Sequence, residues 1–464
     1  TPGVTVRLEN ADNSLQIGAT DLITLSIASG PGGFTVGSTT TVSAVGGIAT
    51  FSNLSFNAVG TYTIKATDAT LGNGDLGNVT SNPFVITAGA ATHFSVTGPV
   101  SVTACAAAVI TVTALDANNL LDTNYTGTVH LSATDSQAIL PLDYTFLSGV
   151  GLDNGVHAFT VELHTAGTQT ITATDTLNPS ITGSHTVNVT PGAAHHLVFG
   201  QQPTNTVAGV AISPAVTVQI LDACDNVTTS TANVTVAIGA NPGGGTLSGT
   251  LTVAAVNGTA TFSNLSINKV GVGYTLVAAS TALTGATSNP FNITAAAAAD
   301  YILTAPASTT AGSSFSVTLQ AIDAFGNIAT GYTGTTHFTT SDPGAAVVLP
   351  TNYTFTAGDQ GVHTFTNAVV LVTAPSQTIT ATDTVTASIS DTKTVLVNAA
   401  AAATFLVNAP PSTGAGAAFN FTVTAQDQFG NTATGYTGTV HFTSSDGGAT
   451  LPANSTLTNG VGTF

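Results

Sequence analysis

Cations are nearly absent from this chain. Lys and Arg number 4 in 464 residues, against 22 Asp and Glu, for a formal charge of -18. The four cations (Arg7, Lys65, Lys269 and Lys393) are scattered and cannot neutralise a phosphate backbone, so a nucleic-acid groove is excluded. The same shortage argues against an anionic membrane surface as a direct partner. Charged residues make up 6% of the chain, where ordinary soluble domains carry about 25%. Disorder does not follow, because 43% of the residues are hydrophobic. No apolar run of about 18 residues exists, so no membrane span is expected here, and no signal peptide is recognisable. Met is missing, so the first residue is not an initiator. Trp is missing too, which leaves 21 Phe to supply most large core side chains. Two Cys exclude a disulfide-dense scaffold.

What is abundant is Thr, roughly a fifth of the residues, which favours strands. The chain also repeats itself. Tyr125-Thr-Gly-Thr-Val-His130 returns as Tyr332-Thr-Gly-Thr-Thr-His337 and Tyr436-Thr-Gly-Thr-Val-His441, at steps of 207 and 104 residues. A second type shows Ala49-Thr-Phe-Ser-Asn-Leu-Ser55 matching Ala260-Thr-Phe-Ser-Asn-Leu-Ser266. The unit is about 104 residues long, and the order of types is second, first, second, first, first. Ala-rich joints give the expected modules: 1–89, lacking a first strand; 90–193; 194–298; 299–402; and 403–464, lacking its last strands. The incomplete ends read as a window on a longer array, or as ends completed by strands of a neighbouring chain.

Within a unit the apolar period is two. Phe315, Val317, Leu319 and Ala321 point one way, and Phe419, Phe421, Val423 and Ala425 repeat them. Clusters such as Asp323-Ala-Phe-Gly-Asn327 punctuate the runs as turns. About seven short strands in 100 residues predict a two-sheet sandwich, with a barrel as the alternative on pattern alone.

Asp427-Gln-Phe-Gly-Asn431 followed by Tyr436-Thr-Gly-Thr-Val-His-Phe-Thr-Ser-Ser-Asp446 resembles the bacterial immunoglobulin-like repeats of large surface proteins, including invasin- and intimin-type adhesins. The second type, with Asn241-Pro-Gly-Gly-Gly245 and Asn257-Gly-Thr-Ala-Thr-Phe262, resembles a related repeat of giant bacterial exported proteins. The resemblance covers essentially the whole chain. It implies an all-β tandem array of immunoglobulin-like sandwiches placed end to end, in an extracellular or cell-surface setting, each module adding about 40 Å. Asn10 departs from the pattern, standing where the other units have Asp.

That topology locates the two cysteines. Cys105 falls in the turn between the first two strands of its module, at the place of Gly312 in a later copy. Cys224 falls in the loop after the second strand of the next module. Both loops face the shared joint, so an interdomain disulfide is expected, with two free thiols as the alternative. A bridge implies an oxidising compartment.

Asp116 and Asp175 end two strands at one pole of a module, and Asp323 and Asp383 repeat the pair. Carboxylates gathered there invite Ca2+ at the joints, or else simply make Asx turns. No calcium-loop motif is present. His130, His337, His441, His157 and His363 fall opposite the core residues and read as exposed repeat positions. His195 and His196, adjacent on extended chain, should point to opposite faces. No nucleophile elbow, His-Glu-x-x-His motif or phosphate loop occurs, so no enzyme activity is expected. Of 31 Asn, 12 begin a glycosylation sequon, a number that a chain this rich in Ser and Thr reaches by composition, and glycans stay open as partners.

The function expected is a stiff extracellular fibre, filament, sheath or surface-layer element whose partners are copies of itself or neighbouring surface proteins. The alternative is the spacer stalk of an adhesin whose binding tip lies elsewhere. A carbohydrate-binding or enzyme-associated module is the third reading.

Overall fold

The computed structural model describes residues 3–68 and 77–464. The chain parts into two compact units, residues 1–196 with 220–230, and residues 197–219 with 231–464. Of the expected first module, residues 1–2 and 69–76 lie outside the described residues.

In the first unit, residues 91–190 build a sandwich. One sheet orders Val156–Glu162, Ala107–Leu115 and His93–Thr97, all antiparallel. The other orders Tyr144–Thr145, Thr128–Ala133, Gly167–Asp175, Thr182–Thr190 and Ser101–Thr103. The last of these is parallel to its neighbour. The opening strand thus serves both sheets, changing over at Gly98-Pro99, where proline supplies no amide for a ladder. Period-two side chains meet between the layers. Val96, Ile110, Val112 and Val161 come from one sheet, and Leu131, Ile171, Ala173 and Val187 from the other, in one buried cluster. Residues 3–68 and 77–86 form a smaller sandwich around Leu25, Ala49, Phe51 and Ile64.

In the second unit, residues 300–398 repeat this plan. Asp300–Thr304, Ser314–Ile322 and Val362–Val370 form one sheet, and Ser308–Thr310 again runs parallel to the closing strand Ser390–Asn398. Its core holds Phe315, Val317, Leu319 and Ala321, the side chains that the alternation predicts. The residues between 231 and 294 pair as Thr252–Ala254, Asn233–Ile238, Leu276–Ala279 and Ala286–Thr287 in one sheet. Beyond 403, Thr404–Asn408, Thr422–Gln426 and Val461–Thr463 form a three-stranded sheet. Here the alternation is only half realised: Val423 and Ala425 are buried, while Phe419 is 46% exposed. In the earlier copy Phe315 is held by Val369. The matching ladder here ends at Phe464, paired with Phe421.

The fold is therefore all-β, a tandem series of immunoglobulin-like sandwiches. No helix among the described residues is long and apolar enough to cross a membrane. Outward faces carry few charges, and their hydroxyls satisfy one another across strands. Thr128 and Thr145 Oγ1 are 2.8 Å apart, Thr235 and Thr252 2.9 Å, Thr335 and Thr354 2.8 Å, and Thr380 and Thr392 2.8 Å. Such pairs stabilise a ladder modestly and keep a neutral face wettable.

Leu319 is fully buried. Replacing it with Ala leaves a cavity in a closed sandwich and is expected to cost about 2–5 kcal/mol. One calorimetric transition should move down while the others stay. A uniform shift of all transitions would mean that the sandwiches do not melt separately.

Candidate functional site

The chemistry of this chain gathers where one sandwich passes into the next. After the second strand of every sandwich but the first comes a loop that starts with a buried Asp: Asp116, Asp222, Asp323 or Asp427. One carboxylate oxygen, Oδ1, closes the loop on itself. In Asp323 it accepts the amides of Phe325 and Asn327, both at 2.9 Å. In Asp427 it accepts those of Phe429 and Asn431, again at 2.9 Å. These are Asx turns, and the fourth residue has positive φ: Asn119, Asp225, Gly326 and Gly430. The other oxygen, Oδ2, holds the linker. It accepts the amide of Gly89 at 2.8 Å, Gly192 at 2.7 Å, Ala296 at 3.1 Å and Ala400 at 2.9 Å, in chain order.

Four residues after the Asp stands Asn226, Asn327 or Asn431, and each reaches back into the preceding sandwich. Asn226 donates to the His164 carbonyl at 2.7 Å and accepts from the Ala166 amide at 2.8 Å. Asn327 does the same with Asn268 (2.9 Å) and Val270 (3.2 Å). Asn431 does so with Val372 (2.7 Å) and Ala374 (2.8 Å). Each Asn also donates to its own Asp, at 3.1, 2.9 and 2.9 Å to Oδ2. The gripped segment is held from its own side as well. Asp135 accepts the amides of His164 and Thr165, and Asp342 those of Val372 and Thr373. The first loop differs, with Leu120 in the Asn place, and a cleft of about 290 Å³ lies there between Leu54, Phe56, Ile86 and Asp116.

Two residues after the Asp sits a plug. Phe325 lies over Gly209, and Phe429 over Gly312, where an added Cβ would stand 2.6 Å from the ring. These glycines have positive φ (+76° and +82°), and Cys105 adopts +59° at the same place in its own turn. Opposite it, Cys224 takes the plug position. The pair forms a disulfide with Cα atoms 6.3 Å apart, inside the usual range. Cys224 packs on the core of residues 91–189 as Phe429 packs on that of residues 301–397.

Asp116 and Asp323 thus serve turn and linker. Asp175 and Asp383 instead end a later strand. Each accepts the phenol of the repeat tyrosine, Tyr125 or Tyr332, and two amides of its own turn. Burial and the Asp175 hydrogen bond push the Tyr125 phenol well above its ordinary range. The oxygens of all four carboxylates are occupied by N–H and O–H donors, which calcium would have to displace. The one cluster of three or more metal-donor side chains among the described residues is Cys105, His164 and Cys224.

Two histidine expectations need correction. His157 and His363 are only 26% and 27% exposed. Each stacks on a tyrosine, Tyr144 or Tyr353, at centroid distances of 3.7 and 3.8 Å, and bonds Asp153 or Asp359. Each shares the face of a buried phenylalanine two residues on, Phe159 or Phe365, so it points to the core side of its sheet and meets a tyrosine of the facing sheet. His130, His337 and His441 are exposed, each bonded to the side chain of Asp143, Asn352 or Asn454. The rings of His195 and His196 do not diverge: their Nδ1 atoms are 3.3 Å apart, because His195 precedes the strand that begins at His196.

Neither a protein-family model nor a curated protein sequence matches the chain. Among solved structures it is similar to the Escherichia coli adhesin FdeC, at 19% identity over 67% of this chain and 99% of that one, with a TM-score of 0.36. It is also similar to invasin, a bacterial integrin-binding protein, at 12% identity over 88% and 77% with a TM-score of 0.30. Domains 1–6 of the surface layer protein SbsC align at 14% identity over 96% and 60%, with a TM-score of 0.22. At such identities the likeness concerns fold alone, and the sandwich assignment rests on the strand pairing.

Two predictions come from the clamp. Asn431→Ala strands the Val372 carbonyl and Ala374 amide and is expected to cost about 1–3 kcal/mol. Calorimetry and the width of spin-label distances across Ala400 both read it, and an unchanged width would show an idle contact. The second concerns pH. Burial raises Asp222, Asp323 and Asp427, but their hydrogen bonds outweigh it and leave all three below the ordinary carboxylate range. The unfolded chain then binds more protons at acid pH, so this stabilisation is full above about pH 5 and is lost as pH falls below about 4. Melting temperature should be flat from neutral to mildly acid pH and then drop; a rise on acidification would contradict the sign.

Proposed function

We propose that the chain is an extracellular structural array whose work is mechanical. It holds immunoglobulin-like modules, at the boundaries drawn from the repeats, in a defined relation to their neighbours, as part of a fibre, sheath or surface layer. The repeated Asp–Asn clamp carries this reading. Polar groups that could face a ligand are spent instead on the linker and on the preceding module's backbone, and the same bonds recur at three joints. A protein that needs only tethered beads has no use for them. The disulfide adds a covalent tie at one joint and supports an oxidising, exported setting. Its loop-closure value of about 4–5 kcal/mol in a chain-entropy picture overstates its role between modules that fold separately, where it fixes an angle.

Neutral, Thr-paired faces favour lateral packing of copies over a lone stalk, because little charge must be desolvated when two such faces meet. The second reading is a spacer that carries an adhesive tip. Negative-stain electron microscopy of the native material separates the two. An ordered polymer with a repeat set by the module is expected; isolated beaded rods would favour the spacer, and hydrolase activity in the purified chain would overturn both.

A further inference from the structure

At the two clamped joints of the second unit, the three facing positions are Gly209, Asn268 and Phe325, then Gly312, Val372 and Phe429. Neither set offers three metal donors. At the corresponding joint of the first unit all three positions change together, to Cys105, His164 and Cys224. A disulfide needs two of those changes and leaves the third unexplained. One donor atom from each residue lies within 4.8 Å of the other two. His164 Nε2 is buried without a hydrogen-bond partner, its nearest carboxylate being Glu162 Oε2 at 3.8 Å. The His164 backbone is fixed from both sides, its amide on Asp135 at 2.6 Å and its carbonyl under Asn226 at 2.7 Å.

We propose that in the dithiol form this joint binds one thiophilic divalent cation of the Zn2+ class through Cys105, His164 and Cys224, with Glu162 or water in the fourth position. Tetrahedral zinc with bonds of about 2.3 Å to sulfur and 2.0–2.1 Å to nitrogen separates its ligand atoms by about 3.4–3.8 Å, inside the observed limit. Two thiolates and an imidazole are soft and intermediate donors, which select zinc over calcium or magnesium. Binding displaces one proton from each thiol, and a neutral ring nitrogen donates without releasing one. The disulfide and the metal are mutually exclusive closures of the same joint. A chain leaves the ribosome with both thiols intact, so the metal-binding state precedes the oxidised one and needs no reductant.

The test uses the full chain. A phosphine reduces the disulfide, which gains two electrons and two protons to give two thiols, while the phosphine takes the oxygen of water to become its oxide. After desalting without oxygen, Co2+ is titrated and then displaced by Zn2+. One equivalent of Co2+ should produce thiolate-to-cobalt absorption in the near ultraviolet and tetrahedral bands in the visible. Zn2+ should erase both. Cys105→Ser and Cys224→Ser should each abolish the charge-transfer signal or halve it with a large loss of affinity. His164→Ala should weaken binding at least about tenfold, a change of roughly 1.4 kcal/mol. His164→Ala should still reoxidise, losing two thiols per chain, which shows that the joint itself is intact. Equal Co2+ affinity in His164→Ala, absence of the bands in the reduced chain, or the same bands in the oxidised chain would each overturn the assignment.

Discussion

One carboxylate per joint organises the rest. The Asp at the start of each loop divides its two oxygens between tasks, one folding its own loop and the other catching the amide of the linker that enters the sandwich. Burying such a charge is costly, and a carboxylate met by three or four donors is the arrangement that repays it. Once it is formed, the loop can stand only one way. The Asn four residues on is aimed at the preceding module, and the residue two on is pressed against its turn. Within each compact unit, the seating of the loop on the segment before it is therefore a by-product of satisfying one buried anion.

The joints share this scheme and differ in what fills it. Asn118 and Leu120 stand at the first joint, without the Asn grip, beside a cleft. Cys224 bridges to Cys105 at the next. Phe325 and Phe429 plug the later ones against glycine. Grip thus varies along one chain with constant backbone geometry: polar contact, covalent bond, or aromatic packing. An array built this way can be tuned joint by joint by changing three residues, because the sandwiches and their cores are left untouched.

Much of this is legible in residue order, and the reasons are local. Alternation in Ser314–Ile322 records which face is buried, because a strand's side chains must alternate. Asp-x-x-Gly-Asn records a turn, because the carboxylate and the positive φ act within five residues. The cysteine pairing was an expectation of the immunoglobulin-like topology that the resemblance implies, with free thiols as the alternative, and the disulfide meets it. The Asn clamp was not legible. Its partners are backbone atoms of His164, Asn268 and Val372, three unlike residues about 60 positions earlier, and a carbonyl leaves no signature in side-chain identity. The placing of His157 was half legible: period two sets it on the face of Phe159 and Val161, but that Tyr144 of the opposite sheet stacks on it there is a long-range meeting.

By itself, then, the sequence determined the strands, the turns and the repeat length, since each follows from short-range sterics or from comparing copies. Tertiary structure alone decided that a third donor joins the two cysteine sulfurs, that asparagines grip across each clamped joint, and that Asp175 and Asp383 answer to tyrosines. Those are meetings between atoms far apart in the chain, and only the closure of two sheets around a shared core brings them within bonding distance.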